Sequence, residues 1–160
     1  LLTIRDWIEA DARGILEVHY AAVHGAPMNY YDEDRLDEWS PVVDEKRIQA
    51  FLTRSAIDEE ITLVALQDDR IVGFGTVVPE LTELRACYVH PRFNRQGIGR
   101  LLLEALEEKA RAAGVAWLNL NASLNAEEFY RASGYTADGL GRHRLVSGHS
   151  IACVHMYKFL

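Results

Sequence analysis

Cysteine is nearly missing from this sequence: Cys87 and Cys153 are the whole supply, far apart and each in apolar surroundings. Two such thiols make no disulfide framework, and a reducing cytoplasm is the expected location. Long apolar runs are missing as well. The longest fall far short of the ~20 residues that span a bilayer, so no membrane partner is expected. The opening Leu1-Leu2-Thr3-Ile4-Arg5-Asp6 has no basic segment and meets charge at once, unlike a signal peptide. It also lacks Met, and the sequence is expected to begin just after the native terminus. Positive charge is scarce: Lys and Arg number 17 against 24 Asp and Glu, a net of -7. Nucleic acid asks for a basic face and is not an expected partner. A small anionic ligand at a local basic site is compatible with that balance. Repeats, low-complexity stretches and linkers are absent, and 160 residues suit one domain, 1–160, with one substantial core.

Metal-binding and nucleophile patterns are also lacking. His19 and His24 are five apart on an expected helix, the wrong interval for one ligand face. His143, His149 and His155 straddle a Ser-Gly turn without a carboxylate pattern, so each reads as a surface or core histidine and no metal is expected. Ser123 has no Gly-x-Ser-x-Gly elbow around it. Cys87 has no base nearby in sequence that would make it an acylated nucleophile.

What is present is a clear alternation of elements. Leu1 to Ile8 reads as a strand. Asp11 can cap a helix to about His24, Asp32 one to Trp39, and Asp44 one to about Ser55. Strands are expected at Ile61 to Leu66, Arg70 to Val78 and Leu81 to Val89. Gly97 to Ala113 has one apolar face, Ile98, Leu102, Ala105, Leu106 and Ala113, and reads as a long amphipathic helix. Val115 to Asn121 is a strand, Asn125 with Glu128 resembles a capping box for a short helix to Ser133, and strands near 135–140 and 150–159 close the chain. The order β-α-α-α-β-β-β-α-β-α-β-β, with one central βαβ crossover, predicts an α+β domain. Its sheet is mixed but mostly antiparallel, with helices on both faces.

The chemistry concentrates at Tyr88-Val89-His90-Pro91-Arg92-Phe93-Asn94-Arg95-Gln96-Gly97-Ile98-Gly99-Arg100. A strand enters a short loop, and two glycines one residue apart open a helix. A first helical turn carries N–H groups without intrahelical partners, and the dipole adds about half a positive charge there. Glycine lets an anion approach that backbone. From Leu84 to Leu103 there is no acid, yet Arg85, Arg92, Arg95 and Arg100 all occur. The stretch therefore reads as a phosphate site, against the alternative of a solvated basic turn. It is not a dinucleotide fingerprint, because Leu102 stands where a third glycine belongs, and it has no Gly-Lys-Ser/Thr of a P-loop.

Arg95-Gln96-Gly97-Ile98-Gly99-Arg100 after Val89-His90-Pro91 resembles the acetyl-CoA motif of the GNAT superfamily of N-acetyltransferases. Asn125 to Tyr135, with Phe129-Tyr130 and Gly134-Tyr135, resembles that superfamily's second marker at the expected distance. One departure is plain: Asn94 stands where the superfamily has Arg or Gln three residues before the first glycine. Val23-His24, Tyr30-Tyr31, Leu36, Trp39-Ser40-Pro41 and the ending Met156 to Leu160 are similar, more loosely, to the bacterial YafP-type acetyltransferases.

The resemblance implies an N-acetyltransferase using acetyl-CoA on a primary amine, by direct attack in a ternary complex. The alternative it leaves open is a non-catalytic acyl-CoA-binding module. Glu83 matches the family's base, and by strand alternation it shares a face with Arg85, Cys87 and Val89. It can equally be a strand carboxylate paired with Arg85. Tyr130 matches the acid that protonates the leaving thiolate. The family's strand carries a bulge and splays from its parallel neighbour, with a backbone N–H at Tyr88 or Val89 facing the oxyanion. The pyrophosphate falls to Gln96, Gly97, Ile98, Gly99 and Arg100, assisted by Arg92 or Arg95. Asn121, Asn125 and Phe129 are expected along the rest of the cofactor. On the acceptor side, His24, Tyr30, Tyr31 and Trp39 sit among Asp32, Glu33, Asp34, Asp37 and Glu38, a mixture suited to a cationic small-molecule amine. Relatives of this type commonly dimerise, which makes a homodimer an expectation of the resemblance alone.

Overall fold

The computed structural model describes residues 1–57 and 59–160. Its elements are β1 (Leu2–Asp6), α1 (Ala12–Val23), α2 (Glu33–Trp39), α3 (Glu45–Ile57), β2 (Ile61–Gln67), β3 (Arg70–Val78), β4 (Glu83–Val89), α4 (Ile98–Ala112), β5 (Trp117–Ser123), α5 (Glu127–Ala132), β6 (Thr136–Arg144) and β7 (Ser150–Phe159). That is the expected order. The strands form one sheet, β1-β2-β3-β4-β5-β7-β6, antiparallel at every junction except β4–β5. None of the helices among the described residues is long and apolar enough to cross a membrane.

Boundaries shift where capping competes with pairing. β5 begins at Trp117 rather than Val115, because the Val115 N–H still closes α4 by donating to Ala110 O at 3.0 Å. β6 runs on to Arg144 because an irregularity between Ala137 and Leu140 absorbs the turn residues without ending the strand. Asp44 caps α3 as expected, accepting from the Arg47 N–H at 2.8 Å. Asp32 precedes α2 but makes no side-chain cap. Asp11 does not cap α1. Its buried carboxylate accepts two bonds from Arg5, at 2.8 and 3.1 Å, and one from the Ile8 N–H at 2.8 Å. The charged partner holds it away from the helix N–H groups. Asn125 is likewise no cap: α5 starts after Ala126 and has no side-chain cap bond.

Helices cover both faces. Leu102, Leu103 and Leu106 of α4 pack with Val77, Leu84, Leu120 and Met156 on one face, where Tyr130 of α5 joins them. Ile15 and Val18 of α1 pack with Val64 and Phe74 on the other, against Ala86 and Tyr88. The β3–β4 register explains how β4 serves both. Ala86 lies opposite Thr76 but Leu84 lies opposite Val77, so Arg85 is an extra, unpaired residue: a β-bulge. Period-2 alternation breaks there. Cys87 and Val89 face α4, whereas Glu83 falls on the α1 face with Ala86 and Tyr88. The single face expected for Glu83, Arg85, Cys87 and Val89 is therefore wrong, because the bulge reverses the parity of every residue beyond it.

His19 of α1 is half-buried edge-on to Tyr88, with ring centroids 4.8 Å apart, and its Nδ1 lies 2.8 Å from Ser40 Oγ. Burial, helped by the nearby Arg47 cation, pushes its pKa down to about 3. The native chain thus refuses a proton that the unfolded chain takes up near pH ~6.5. Stability is full above that pH and falls as pH drops toward 3, by about 1.4 kcal/mol per pH unit at most. His19→Gln should flatten the fall in melting temperature between about pH 6 and 4. An unchanged slope in the variant would assign that fall to other groups.

Candidate active site

β4 and β5 pair at one position, Glu83 with Asn119, and then part. Asn119 holds that last contact: its N–H donates to Thr82 O at 2.8 Å and its side-chain amide to the same oxygen at 2.7 Å. Beyond it, β4 keeps its bonds to β3 only. The His90 N–H donates to Val72 O at 2.8 Å, so by antiparallel alternation Tyr88 and Ala86 also turn their polar backbone toward β3. Cys87 and Val89 turn theirs into the gap. Of the two candidate backbone donors, Val89 is the one directed at the opening; Tyr88 is not.

A cavity of about 660 Å³ fills this gap and runs past the start of α4. Its walls include Leu84 to Val89 of β4, Asn94, Arg95, Gly97 to Arg100, Leu120, Asn121 and Ser123 of β5, Asn125 to Tyr130 save Glu127, and Trp39, His143, Ile151 and Cys153. Gly97 takes φ +80° at the head of α4, and a Cβ there would meet nothing within 4 Å, so the backbone at this turn is bare. A Cβ on Gly99 would lie 3.2 Å from the Phe129 ring. The glycine lets α4 approach Phe129 and leaves its own N–H uncovered. With the first-turn N–H groups of a 15-residue helix beside it, this end presents bare donors of the kind that suit an anion.

Most of the residues expected at the cofactor meet here: Tyr88, Val89, Arg95, Gly97, Ile98, Gly99, Arg100, Asn121, Asn125 and Phe129 all line the cavity. Arg92 and Gln96 do not, whereas Asn94 does. Arg85 lies in the wall but pairs with Glu60 at 2.6 Å and Glu83 at 3.3 Å, so its charge is already met. The arginine island is smaller than its acid-free run suggested: Glu60 reaches Arg85 from the head of β2, and Glu83 meets it from two residues away.

Tyr130 is 7 % exposed and lines the cavity, edge-on to Phe129 and Tyr135. Burial drives its hydroxyl pKa well above the usual phenol range, with the Cys87 thiol adding to the rise. It is a phenol that stays protonated. Cys87 is pushed up to about 12 by burial, which removes the thiolate a nucleophile would need. Asn125 Oδ1 is buried with no hydrogen-bond partner among the described residues. An orphaned acceptor in a cavity wall fits a ligand that donates an N–H.

The acceptor-side expectations divide. Trp39 lines the cavity. Tyr31 is a clamp: its hydroxyl donates to Ala152 O at 2.6 Å and accepts from the Leu124 N–H at 2.9 Å. His24 lies against Tyr20 and Ser40 O, and Tyr30 is exposed; neither is in the cavity wall, nor is Glu83. Sequence reading missed His143, Ile151 and Cys153. Their order along β6 and β7 carried no motif, and only the pairing of those strands brings them to the cavity.

Residues 27–158 match the acetyltransferase (GNAT) domain family. No curated protein sequence matches the chain at a significant level. Among solved structures, a GCN5-related N-acetyltransferase from Rhodopseudomonas palustris is 28% identical with a TM-score of 0.85, over 99% of this chain and 95% of that one. The PaiA N-acetyltransferase of Thermoplasma acidophilum, in complex with coenzyme A, is 18% identical with a TM-score of 0.80, over 100% and 99%. A phosphinothricin acetyltransferase of Sinorhizobium meliloti, in complex with acetyl-CoA, is 20% identical with a TM-score of 0.72, over 99% and 88%.

Proposed function

This chain belongs to the GNAT acetyltransferase family, and from that premise we propose that it moves an acetyl group from acetyl-CoA to a primary amine of a small molecule, both held in one ternary complex. The observation that carries the reading is the continuity of one cavity from the α4 start, through the β4–β5 gap, to Tyr130. The first-turn N–H groups of α4, with Arg95 and Arg100 nearby, would hold the pyrophosphate. The unpaired Asn125 Oδ1 would accept from an amide N–H of the pantetheine arm. Acetyl-CoA supplies the activated thioester. The Val89 N–H, aimed into the gap, is the donor for the developing oxyanion, a role worth about 3 kcal/mol where it has been removed from other enzymes. Tyr130 holds the proton destined for the thiolate. Trp39 and Tyr88 wall the acceptor end. The looser YafP-type similarity rests on residues between Val23 and Pro41 and on the ending Met156 to Leu160, and it names no acceptor.

Coenzyme A at a hundred times its dissociation constant should stabilise the fold by about 2.7 kcal/mol. For a chain this long that raises the melting temperature by about 5–11 °C. Gly99→Leu should abolish the rise by filling the space beside Phe129. Absence of a rise in the unaltered chain would sink the proposal. Thiol release on adding amines to the acetyl-CoA complex then separates transfer from binding alone.

A further inference from the structure

We propose that His143 is the proton acceptor for the incoming amine and that Glu83 is the charge that supports it. This rests on the transfer reading above. Strand register puts the two on one sheet face. His143 lies opposite Ile151 and Gly141 opposite Cys153 on β7; Cys153 lies opposite Ser123 on β5. Alternate residues Leu118, Leu120, Ala122, Val154 and Met156 are buried on the α4–α5 side. His143 therefore projects from the other face, toward α1. The bulge at Arg85 sends Glu83 to that same face, opposite Asn119. A single-residue slip in β4 thus brings a carboxylate to the side where His143 enters the cavity wall.

Glu83 itself is a poor acceptor. Its Oε1 is held by Arg85 Nε at 3.3 Å, and it is not in the cavity lining. His143 is in the lining, beside the acceptor end walled by Trp39 and Tyr88. The groups around it are Glu83 from β4, joined through Arg85 to Glu60, and His19 from α1, with Tyr88 and Cys153 in the same cavity wall. Arg142 and Arg144 precede and follow it on β6, turned to the opposite face. Burial lowers its pKa and the Glu83 carboxylate pulls it back up. Its imidazole is neutral at pH 7, so it has a lone pair to offer. An imidazole is intrinsically a stronger base than a carboxylate, and so the better partner for an ammonium.

Protons and bonds balance. The ammonium sheds two protons. One passes to His143 and on to water. The amine nitrogen forms the new N–C bond, the C–S bond breaks, and Tyr130 gives its proton to the thiolate. The second proton from nitrogen restores the phenol. The sum is amide, thiol and one proton released.

Two independent measurements decide it. The first is the NMR titration of the His143 ring in the chain without acetyl-CoA, assigned by its loss in His143→Gln. Glu83→Gln should shift that titration to lower pH, since a negative charge is removed. The second is kcat/KM against pH with acetyl-CoA and phenethylamine, spermidine or alaninamide. His143→Gln should lower it about 10²-fold and remove the acidic limb. Glu83→Gln should move the limb to lower pH with the titration. The coenzyme A thermal rise should survive in both variants. Retention of rate and limb in His143→Gln, or a ring titration unmoved in Glu83→Gln, would overturn the assignment. Should the unaltered chain bind coenzyme A yet acetylate none of these amines, the transfer reading falls for them, and the titration still decides the Glu83–His143 coupling.

Discussion

Tyr130→Phe should lower kcat by about 10²-fold or more while the melting-temperature rise with coenzyme A persists. The substitution removes one oxygen and no packing. Tyr130 is wedged edge-on between Phe129 and Tyr135, with ring centroids 5.1 and 5.7 Å away, and a phenyl ring keeps both contacts. Its raised pKa makes the hydroxyl a reluctant acid in the ground state. That changes when an anionic sulfur forms beside it in the same low-dielectric wall, where a proton donor is worth most. The effect should therefore fall on turnover and leave cofactor affinity nearly unaltered. Full turnover in the variant would remove the acid role. Loss of the thermal rise would instead make Tyr130 part of the cofactor's seat.

The sequence carried the parts of this site that depend on short-range order. Gly97 and Gly99 announce a helix head with bare N–H groups, and the apolar stripe of α4 announces the face it buries. Neither needs knowledge of a distant residue. The parts that failed are long-range. Arg85 stands in an acid-free run of sequence, yet Glu60, just before β2 and two strands away, meets it at 2.6 Å. His149 reads as a surface or core histidine and is exposed, but its carboxylate partner was not legible: Glu38 of α2 meets its Nδ1 at 2.6 Å. Tyr31 looked like an aromatic substrate wall and is a backbone clamp. The bulge is the sharpest case. It was anticipated only through the family resemblance, and its consequence, the changed face of Glu83, lies in the β3–β4 register, which alternation along one strand cannot reveal.

Lys158→Met should destabilise the chain by about 3 kcal/mol, within the range for breaking one side of a buried pair. At ~2–4 °C per kcal/mol this is a fall of about 6–12 °C in melting temperature. Glu107 of α4 is 4 % exposed. Lys158 Nζ donates to both of its oxygens at 3.0 Å, and the Tyr135 hydroxyl donates to Oε2 at 2.9 Å. Lys158 also donates to Ser133 O at 3.0 Å and lies 5.5 Å from the centre of the Tyr135 ring. One cation thus ties α4, the end of α5 and β7 together. Without it, Glu107 keeps a single neutral donor in a buried site. The double variant Glu107→Leu, Lys158→Met should recover most of the loss, because no unpaired charge remains. Failure to recover would show that shape, not charge, is the constraint. A loss under about 1 kcal/mol in the single variant would make the pair no stronger than an exposed one. The network also touches the chemistry at one remove. Tyr135 is the ring on which Tyr130 rests, so Lys158→Met should lower kcat at temperatures well below its melting point, and the double variant should restore it only as far as it restores the seat of Tyr135.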